Sequence, residues 1–356
     1  MRRLGFIPRI ESLRGIAALA VVGYHVHGQI SAMPSLGWLD GLSYRLLGGV
    51  FNGTGAVVIF FVLSGFVLAR SLDSNSDPFR FLNNRLFRLF PAAMVVVALL
   101  TLLHWQSGFF VGYEASFTPA NVILNLLMIK SDINGVMWSM TVECAATPLI
   151  LLSAWIVRRN GEKPLWLLTA ILVGLSSWGP YVHLMGGFTN LAPLYAFVVG
   201  VLIHVRGRLL SPLDRYPLTS AIIAIAAFCF CGTRTQSALI LMLECASAAT
   251  LIALIAYRPA MALFEPLDAK LARFYGRISY SFYLMHPLGI AVAFRAFDPQ
   301  VLGALGVPIT LIVVCMTVAA ILITTPAAYL SWRLIEAPGI SFGKALTTRR
   351  KLQAAN

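Results

Sequence analysis

The chain has 356 residues, of which 58% are hydrophobic and only 12% are charged, and its formal net charge is +13. Soluble domains carry about twice that charged fraction, so the composition excludes an ordinary soluble protein and indicates an integral membrane protein. Long uninterrupted apolar runs also exclude a membrane β-barrel, whose strands alternate in polarity. We expect an all-α fold, because a lipid-exposed chain must satisfy its backbone hydrogen bonds internally.

Ten apolar segments are candidates for crossing the bilayer as helices. They are predicted at residues 14–32, 48–69, 88–108, 135–157, 165–181, 188–205, 217–231, 236–256, 277–295 and 305–332. With this placement, 23 of the 27 lysines and arginines lie at the termini, in the loops after spans two, four, six and eight, or at the first residue of a span that follows them. The positive-inside rule then places both termini in the cytoplasm. The expected architecture is a polytopic helical bundle whose basic inner face suits an anionic lipid leaflet or an anionic cytosolic ligand rather than nucleic acid.

The first span begins with an arginine and carries a histidine at mid-depth. Arg14 and His25 are eleven positions apart, which is roughly 16 Å and about three turns of helix, so the two side chains share a face. An ionisable side chain at mid-membrane is costly without a partner and is therefore a candidate functional residue. The alternative is a neutral His25 that bonds to a neighbouring helix and has no part in chemistry.

Two arginines mark the cytosolic entry of the third span. Arg85 and Arg88 are three residues apart, so on a helix they project from one side. One interpretation is ordinary anchoring, in which the charged ends reach the interface. The other is a clamp for a phosphorylated cytosolic ligand, since guanidinium groups bind phosphate in a forked geometry.

The fourth and ninth spans add further polar side chains. Trp138 and Ser139 open the fourth span, and Glu143 lies four residues after Ser139 on the same helical face, at a depth similar to that of the first-span histidine. In the ninth span His286 falls near mid-depth, and Pro287 directly after it is expected to kink or break the helix. These residues are candidates for lining a site within the bundle.

The remaining segments predict connections and a single domain. Residues 33–47 are expected to form an outer loop, and 121–130 a re-entrant or interfacial helix. Residues 1–340 form one membrane domain in this interpretation, and 341–356 a loose, polar, basic cytoplasmic tail. All five cysteines fall in or beside apolar spans, which favours small buried side chains over disulfides. The sequence predicts no metal site and contains no nucleotide-binding fingerprint.

Taken in chain order, the motifs of this sequence resemble those of the acyltransferase-3 family of membrane acyltransferases, which includes bacterial O-antigen and exopolysaccharide acetylases. The resemblance covers roughly residues 8–340. It is carried by the phrase Ile10 to Ala18, the Arg14–His25 spacing, Phe60 to Phe66, Arg85-x-x-Arg88, Trp138-Ser139-x-x-x-Glu143, Ser279 to Pro287, and Ile335-Glu336-x-Pro338.

The resemblance implies a multi-pass protein of the bacterial inner membrane that transfers an acyl group, usually acetyl, from cytosolic acyl-CoA to a carbohydrate hydroxyl. It implies that His25 is catalytic and that Arg14, Arg85 and Arg88 are close to it in importance. Some relatives carry an appended esterase-like domain, which we do not expect here. The lipid bilayer, acyl-CoA and a carbohydrate are the expected partners, with no nucleic acid and no metal cofactor, and the oligomeric state is open.

The residues allow a mechanism that agrees with this resemblance. Arg14, Arg85 and Arg88 would bind the phosphates of acyl-CoA, and His25 would act as general base on the acceptor hydroxyl. Glu143 would orient the imidazole or stabilise its charged form. We expect four side chains to line the substrate site, namely Trp138, Ser139, His286 and Glu336.

Two alternatives stay open at this point. In the first, His25 is the nucleophile and carries the acyl group across the membrane as an acyl-histidine. In the second, the chain is a secondary transporter of a small polar solute, although such folds often show two related halves and no internal repeat is visible.

Overall fold

The computed structural model describes residues 7–74, 77–111, 115–178 and 193–355, and within these ranges every regular element is helical. The α-helices are α1 Pro8–Ile30, α2 Trp38–Val50, α3 Gly53–Ser74, α4 Pro78–Ser107, α5 Pro119–Leu126, α6 Trp138–Asn160, α7 Lys163–Trp178, α8 Tyr195–Arg206, α9 Ser211–Arg215, α10 Pro217–Gly232, α11 Ala238–Tyr257, α12 Lys270–Ala296, α13 Pro299–Ala304, α14 Ile309–Ser331 and α15 Ala337–Ala355. Shorter helical turns lie at Gly135–Met137, Ala262–Asp268 and Trp332–Glu336.

The prediction of an all-α membrane protein is confirmed in its coarse form. Each of the ten predicted spans corresponds mainly to one α-helix, although residues 179–181 of the fifth span and 188–192 of the sixth lie outside the described residues. Among the described residues, five helical stretches are long and apolar enough to cross a bilayer, namely Trp38–Ser74, Pro78–Ser107, Gly135–Asn160, Ala238–Tyr257 and Ile309–Thr347. The count of ten spans and the cytoplasmic termini stay predictions.

The expected outer loop at residues 33–47 is largely helical, because α2 occupies most of it. His27 and Tyr44 join α2 to α1: His27 Nε2 donates to the Tyr44 carbonyl at 3.0 Å, and the Tyr44 hydroxyl donates to the His27 carbonyl at 2.8 Å. Asp40 caps α14, since its carboxylate accepts from the backbone N–H groups of Ile309 and Thr310 at 3.0 and 3.1 Å. The residues that contact α2 lie outside it, on α1 and at the start of α14. The composition of residues 33–47 alone therefore suggested a loop.

The tail after residue 340 is also more ordered than expected. A π-type turn at Trp332–Glu336 connects α14 to α15, and Asn83 on α4 donates to the Gly343 carbonyl at 2.7 Å. The ring of Phe342 packs edge-on against Phe87, with centroids 5.3 Å apart. The expectation of a loose tail is therefore wrong for its first turns, whereas the domain boundary at residue 340 stays a prediction.

Helix α1 lies at the centre of the packing, against α3, α12 and α14. Its closest approach to α12 is at a pair of glycines: a Cβ on Gly15 would lie 2.5 Å from the backbone nitrogen of Gly276. Small residues at such a crossing let two helix backbones touch within a membrane. This contact fixes how α1 and α12 align along their length.

An ion pair stabilises the start of α1, which the predicted topology places on the cytoplasmic side. Arg9 Nε donates to the carboxylate of Asp268 at 2.9 Å, and Arg9 Nη1 donates to the Pro259 carbonyl at 2.7 Å. The Arg9 guanidinium holds the pKa of the Asp268 carboxyl below its usual range. The charged carboxylate therefore stabilises the folded state at neutral pH.

Asp268→Asn should lower the melting temperature at pH 7, and its difference from wild type should shrink in acid. A depressed folded-state pKa stabilises the protein above the unfolded-state pKa of about 4, and this stabilisation is lost as pH falls through the folded-state value. Thermal melts of detergent-purified protein from pH 7 to pH 3 measure the effect, with Glu265→Gln on the same turn as the matched control. A difference that stays constant across this pH range would contradict the electrostatic origin.

Candidate active site

His25 and His286 face each other across the contact between α1 and α12. Their ring centroids are 5.3 Å apart and their planes are inclined by 30°. His25 is only partly buried, whereas His286 is completely buried. His25 makes no hydrogen bond within the described part of the chain, so its ring is free to meet a ligand. The sequence placed both histidines near mid-depth, and the structure brings them together.

Tyr283, whose ring centroid is 5.5 Å from that of His286, connects this pair to aromatic and hydroxyl side chains on α3 and α6. Tyr283 packs edge-on against Phe60, with centroids 5.8 Å apart, and its hydroxyl donates to the Val136 carbonyl at 3.1 Å. Ser139 Oγ lies 2.9 Å from the Tyr283 hydroxyl and is buried. Trp138 lies edge-on to the ring of Phe61, with centroids 6.2 Å apart. Ser139 therefore positions Tyr283, a residue that the sequence analysis did not single out.

A buried ion pair joins α4 and α6 toward the end of the bundle that is predicted to be cytosolic. The Arg85 guanidinium is 3.2 Å from the Glu143 carboxylate, and it donates to Thr147 Oγ1 at 3.0 Å and to the Glu143 carbonyl at 3.1 Å. Ser64 on α3 donates to the same carboxylate at 2.7 Å. Arg85 and Glu143 are 6% and 9% exposed, so both charges depend on each other for compensation.

The contacts of Arg85 and Glu143 differ from those that the sequence led us to expect, and their roles stay predictions. The carboxylate of Glu143 lies against Arg85 and Ser64 instead of orienting His25. Most donors of Arg85 are already directed at protein oxygens, which limits its availability to a phosphate. Ser64 and Thr147 belong to the cluster, and no spacing in the sequence pointed to them.

Arg14 and Arg88 complete the cluster but differ from Arg85. They lie within electrostatic range of each other, of Glu143 and of Glu336. The buried carboxylate of Glu336 accepts from Ser281 Oγ at 2.8 Å. Within the described residues neither Arg14 nor Arg88 has a hydrogen bond or an oppositely charged side chain within 4 Å. Two guanidiniums of one cluster without close partners favour the binding of an anion.

Comparisons with known proteins identify the family of this chain. Residues 7–329 match the acyltransferase domain that defines the acyltransferase-3 family. The chain is 24% identical over 369 aligned positions to BcsY of Komagataeibacter xylinus, a candidate membrane-bound transacylase, covering 94% of this chain and 83% of BcsY. No solved structure matches the chain. Since the match spans nearly all of the helical bundle, including both histidines and all three arginines, this protein belongs to the acyltransferase-3 family of membrane proteins.

Proposed function

We propose that this protein is a membrane O-acyltransferase of the bacterial inner membrane. It moves an acyl group, most simply acetyl, from cytosolic acyl-CoA to a hydroxyl of a cell-envelope or exported carbohydrate. The observation that carries the proposal is a histidine without hydrogen bonds among the described residues, on the same helix as an arginine without a close ionic partner. The family match supports the transfer chemistry, and the transacylase relative supports a membrane setting.

The reaction needs a base at the acceptor hydroxyl. His25 supplies one, because a histidine can take up and release a proton near neutral pH. The hydroxyl oxygen forms the new ester bond, the thioester C–S bond breaks, and the proton taken by His25 passes to the leaving thiolate. The aromatic rings of Phe60, Tyr283 and Trp138 are the proposed lining for the acceptor side of this reaction.

The donor needs a cationic entrance on the cytosolic side, and acyl-CoA is a polyanion. Arg14 and Arg88 are the proposed phosphate ligands, since Arg85 is held by Glu143. Roughly 16 Å of helix separates Arg14 from His25, a distance that the extended arm of the donor can span to bring its thioester to the imidazole.

Arg88→Gln and Arg14→Gln are each expected to raise the KM for acetyl-CoA by about 10- to 100-fold. The figure follows from the roughly 1.5–3 kcal/mol that a hydrogen bond to a charged group contributes. Arg159→Gln is the matched control, because Arg159 is an exposed inner-face arginine that lies over Trp155. Unchanged KM values in the two variants would leave the membrane-anchoring interpretation of Arg88 in place.

The function is tested with purified wild-type protein in phospholipid vesicles. Acetyl-CoA is supplied on the cytosolic side, polysaccharide from the bacterial envelope on the other, and both free thiol and ester-linked acetate are measured. Acceptor-dependent release of thiol with matching ester formation is the expected result. Uptake of labelled solute without consumption of the thioester would instead identify a transporter.

A further inference from the structure

Helix α12 carries a proline directly after His286, and this proline has a local consequence. Pro287 has no backbone N–H, so the carbonyl of Tyr283, four residues earlier, lacks its helical donor. His286 Nδ1 lies 2.6 Å from that carbonyl oxygen and replaces the missing donor. A carbonyl oxygen only accepts, so Nδ1 carries the hydrogen and the neutral ring keeps its lone pair on Nε2.

The lone pair on Nε2 is buried and unused in the resting protein. His286 is 0% exposed, and its Nε2 has no hydrogen-bond partner among the described residues. An unsatisfied buried acceptor costs about 1–3 kcal/mol. The aromatic neighbours of the ring are Tyr283, which is on its own helix, and His25.

The distance between the two rings suits one hydrogen bond. Two imidazoles joined by an N–H···N bond of about 2.9 Å have ring centroids roughly 5 Å apart. The observed separation of the His25 and His286 centroids is 5.3 Å, with a modest inclination of 30°. No hydrogen bond joins the two rings in this structure, so forming one requires the partly buried His25 ring to turn a nitrogen toward His286 Nε2.

The backbone holds this pairing in register. Gly15 and Gly276 touch where α1 crosses α12, and each histidine follows its glycine by ten residues. Because the glycines touch and the histidines also face each other, the two helices run in parallel. His25 and His286 therefore lie at one depth, about 15 Å along the helices from the glycine contact. The pairing therefore follows from the helix contact and does not depend on a flexible loop.

Building on the proposed function, we propose that His286 is a positioning residue for acyl transfer. Its Nε2 accepts a hydrogen bond from one ring N–H of His25, which leaves the lone pair on the other nitrogen of His25 to face the acceptor hydroxyl. The bond strengthens when His25 takes up the hydroxyl proton, because a charged donor forms a stronger hydrogen bond. His286 itself exchanges no proton, and the proton leaves His25 for the thiolate as before.

The two amide substitutions at position 286 separate this role from a structural one. In His286→Asn the shorter amide stands near Nδ1 and can still donate to the Tyr283 carbonyl, but nothing replaces Nε2. In His286→Gln the longer amide stands near Nε2 and restores an acceptor toward His25. A purely structural histidine is replaced better by Asn, whereas a positioning histidine is replaced better by Gln.

The experiment measures acceptor-dependent thiol release from acetyl-CoA by the full chain in vesicles, with melting temperatures recorded for each variant. We expect His286→Asn to lower kcat by about 10- to 100-fold, which is the range found when the residue that orients a metal-bound histidine is replaced. The KM for acetyl-CoA should not change, and His286→Gln should recover most of the rate.

Three results would overturn the inference. They are wild-type kcat in folded His286→Asn, a change confined to KM, and a folded His286→Gln variant that is no better than His286→Asn. If His286→Gln does not fold, the kcat of His286→Asn decides alone. Failure of the proposed function looks different, because it would show as a wild-type protein without transfer or as a fully active His25→Ala variant.

Discussion

Replacing His25 with alanine is expected to lower kcat for acyl transfer by about 10²–10⁴-fold, the range that a positioned general base contributes. The KM for acetyl-CoA should change little, because the proposed phosphate ligands Arg14 and Arg88 stay in place. A loss confined to kcat identifies an interaction made in the transition state rather than in binding. Thiol release and ester formation by purified protein in vesicles measure both parameters.

The control for this variant is His27→Gln on the same helix. His27 donates through Nε2 to the Tyr44 carbonyl at 3.0 Å, and a glutamine amide can take over that donation. His27→Gln should therefore transfer acyl groups at close to the wild-type rate. Equal rates for wild type and His25→Ala, at equal protein, would make His25 a structural residue and remove the base from the mechanism.

An experiment on the wild-type protein can distinguish direct transfer from an acyl-histidine relay. A relay forms an acyl-enzyme before the acceptor arrives, so donor alone should give a burst of thiol and labelled acetyl bound to the wild-type chain. Direct transfer gives neither without acceptor. The hydrogen bond proposed between His25 and His286 would orient the remaining lone pair of His25 in either mechanism, so the test with donor alone decides between them.

The sequence placed side chains by depth but not by direction. Spacing along one helix located Arg14 and His25 on a common face, and counting from the membrane surface put His25 and His286 at one level. The sequence does not show which neighbouring helix a side chain contacts, since that depends on tertiary packing. Glu143 shows the consequence: similar depth suggested a contact with His25, yet its carboxylate lies on Arg85 and Ser64.

The same reasoning explains the misjudged segments. Pro34, Gly37 and Gly41 made residues 33–47 resemble a loop, whereas α2 is stabilised by α1, α10 and α14. The polar composition of α15 suggested a loose tail, but its first turns pack on α4. In both cases the stabilising partner is elsewhere in the chain, and local propensity carried too little information to reveal it.

Arg85→Met is expected to destabilise the protein by about 3–5 kcal/mol, the typical effect of removing one partner of a buried ion pair. The variant leaves the Glu143 carboxylate, which is only 9% exposed, without its cation, and Ser64 alone supplies a single hydrogen bond. Membrane abundance and the melting temperature in detergent should both fall. Arg159→Met, at an exposed arginine, is the control for loss of one positive charge.

A second change should rescue this defect if the ion pair is its cause. The double variant Arg85→Met/Glu143→Leu removes both charges, and replacing a buried pair by apolar side chains is often neutral for stability. We therefore expect it to be more stable than Arg85→Met alone, with a coupling energy measured by the double-mutant cycle. If Arg85→Met were instead stable and showed only a raised KM for acetyl-CoA, Arg85 would be a residue that binds the acyl donor. The clamp would then be the Arg85–Arg88 pair that their spacing suggested, with Glu143 available to move between partners during the reaction.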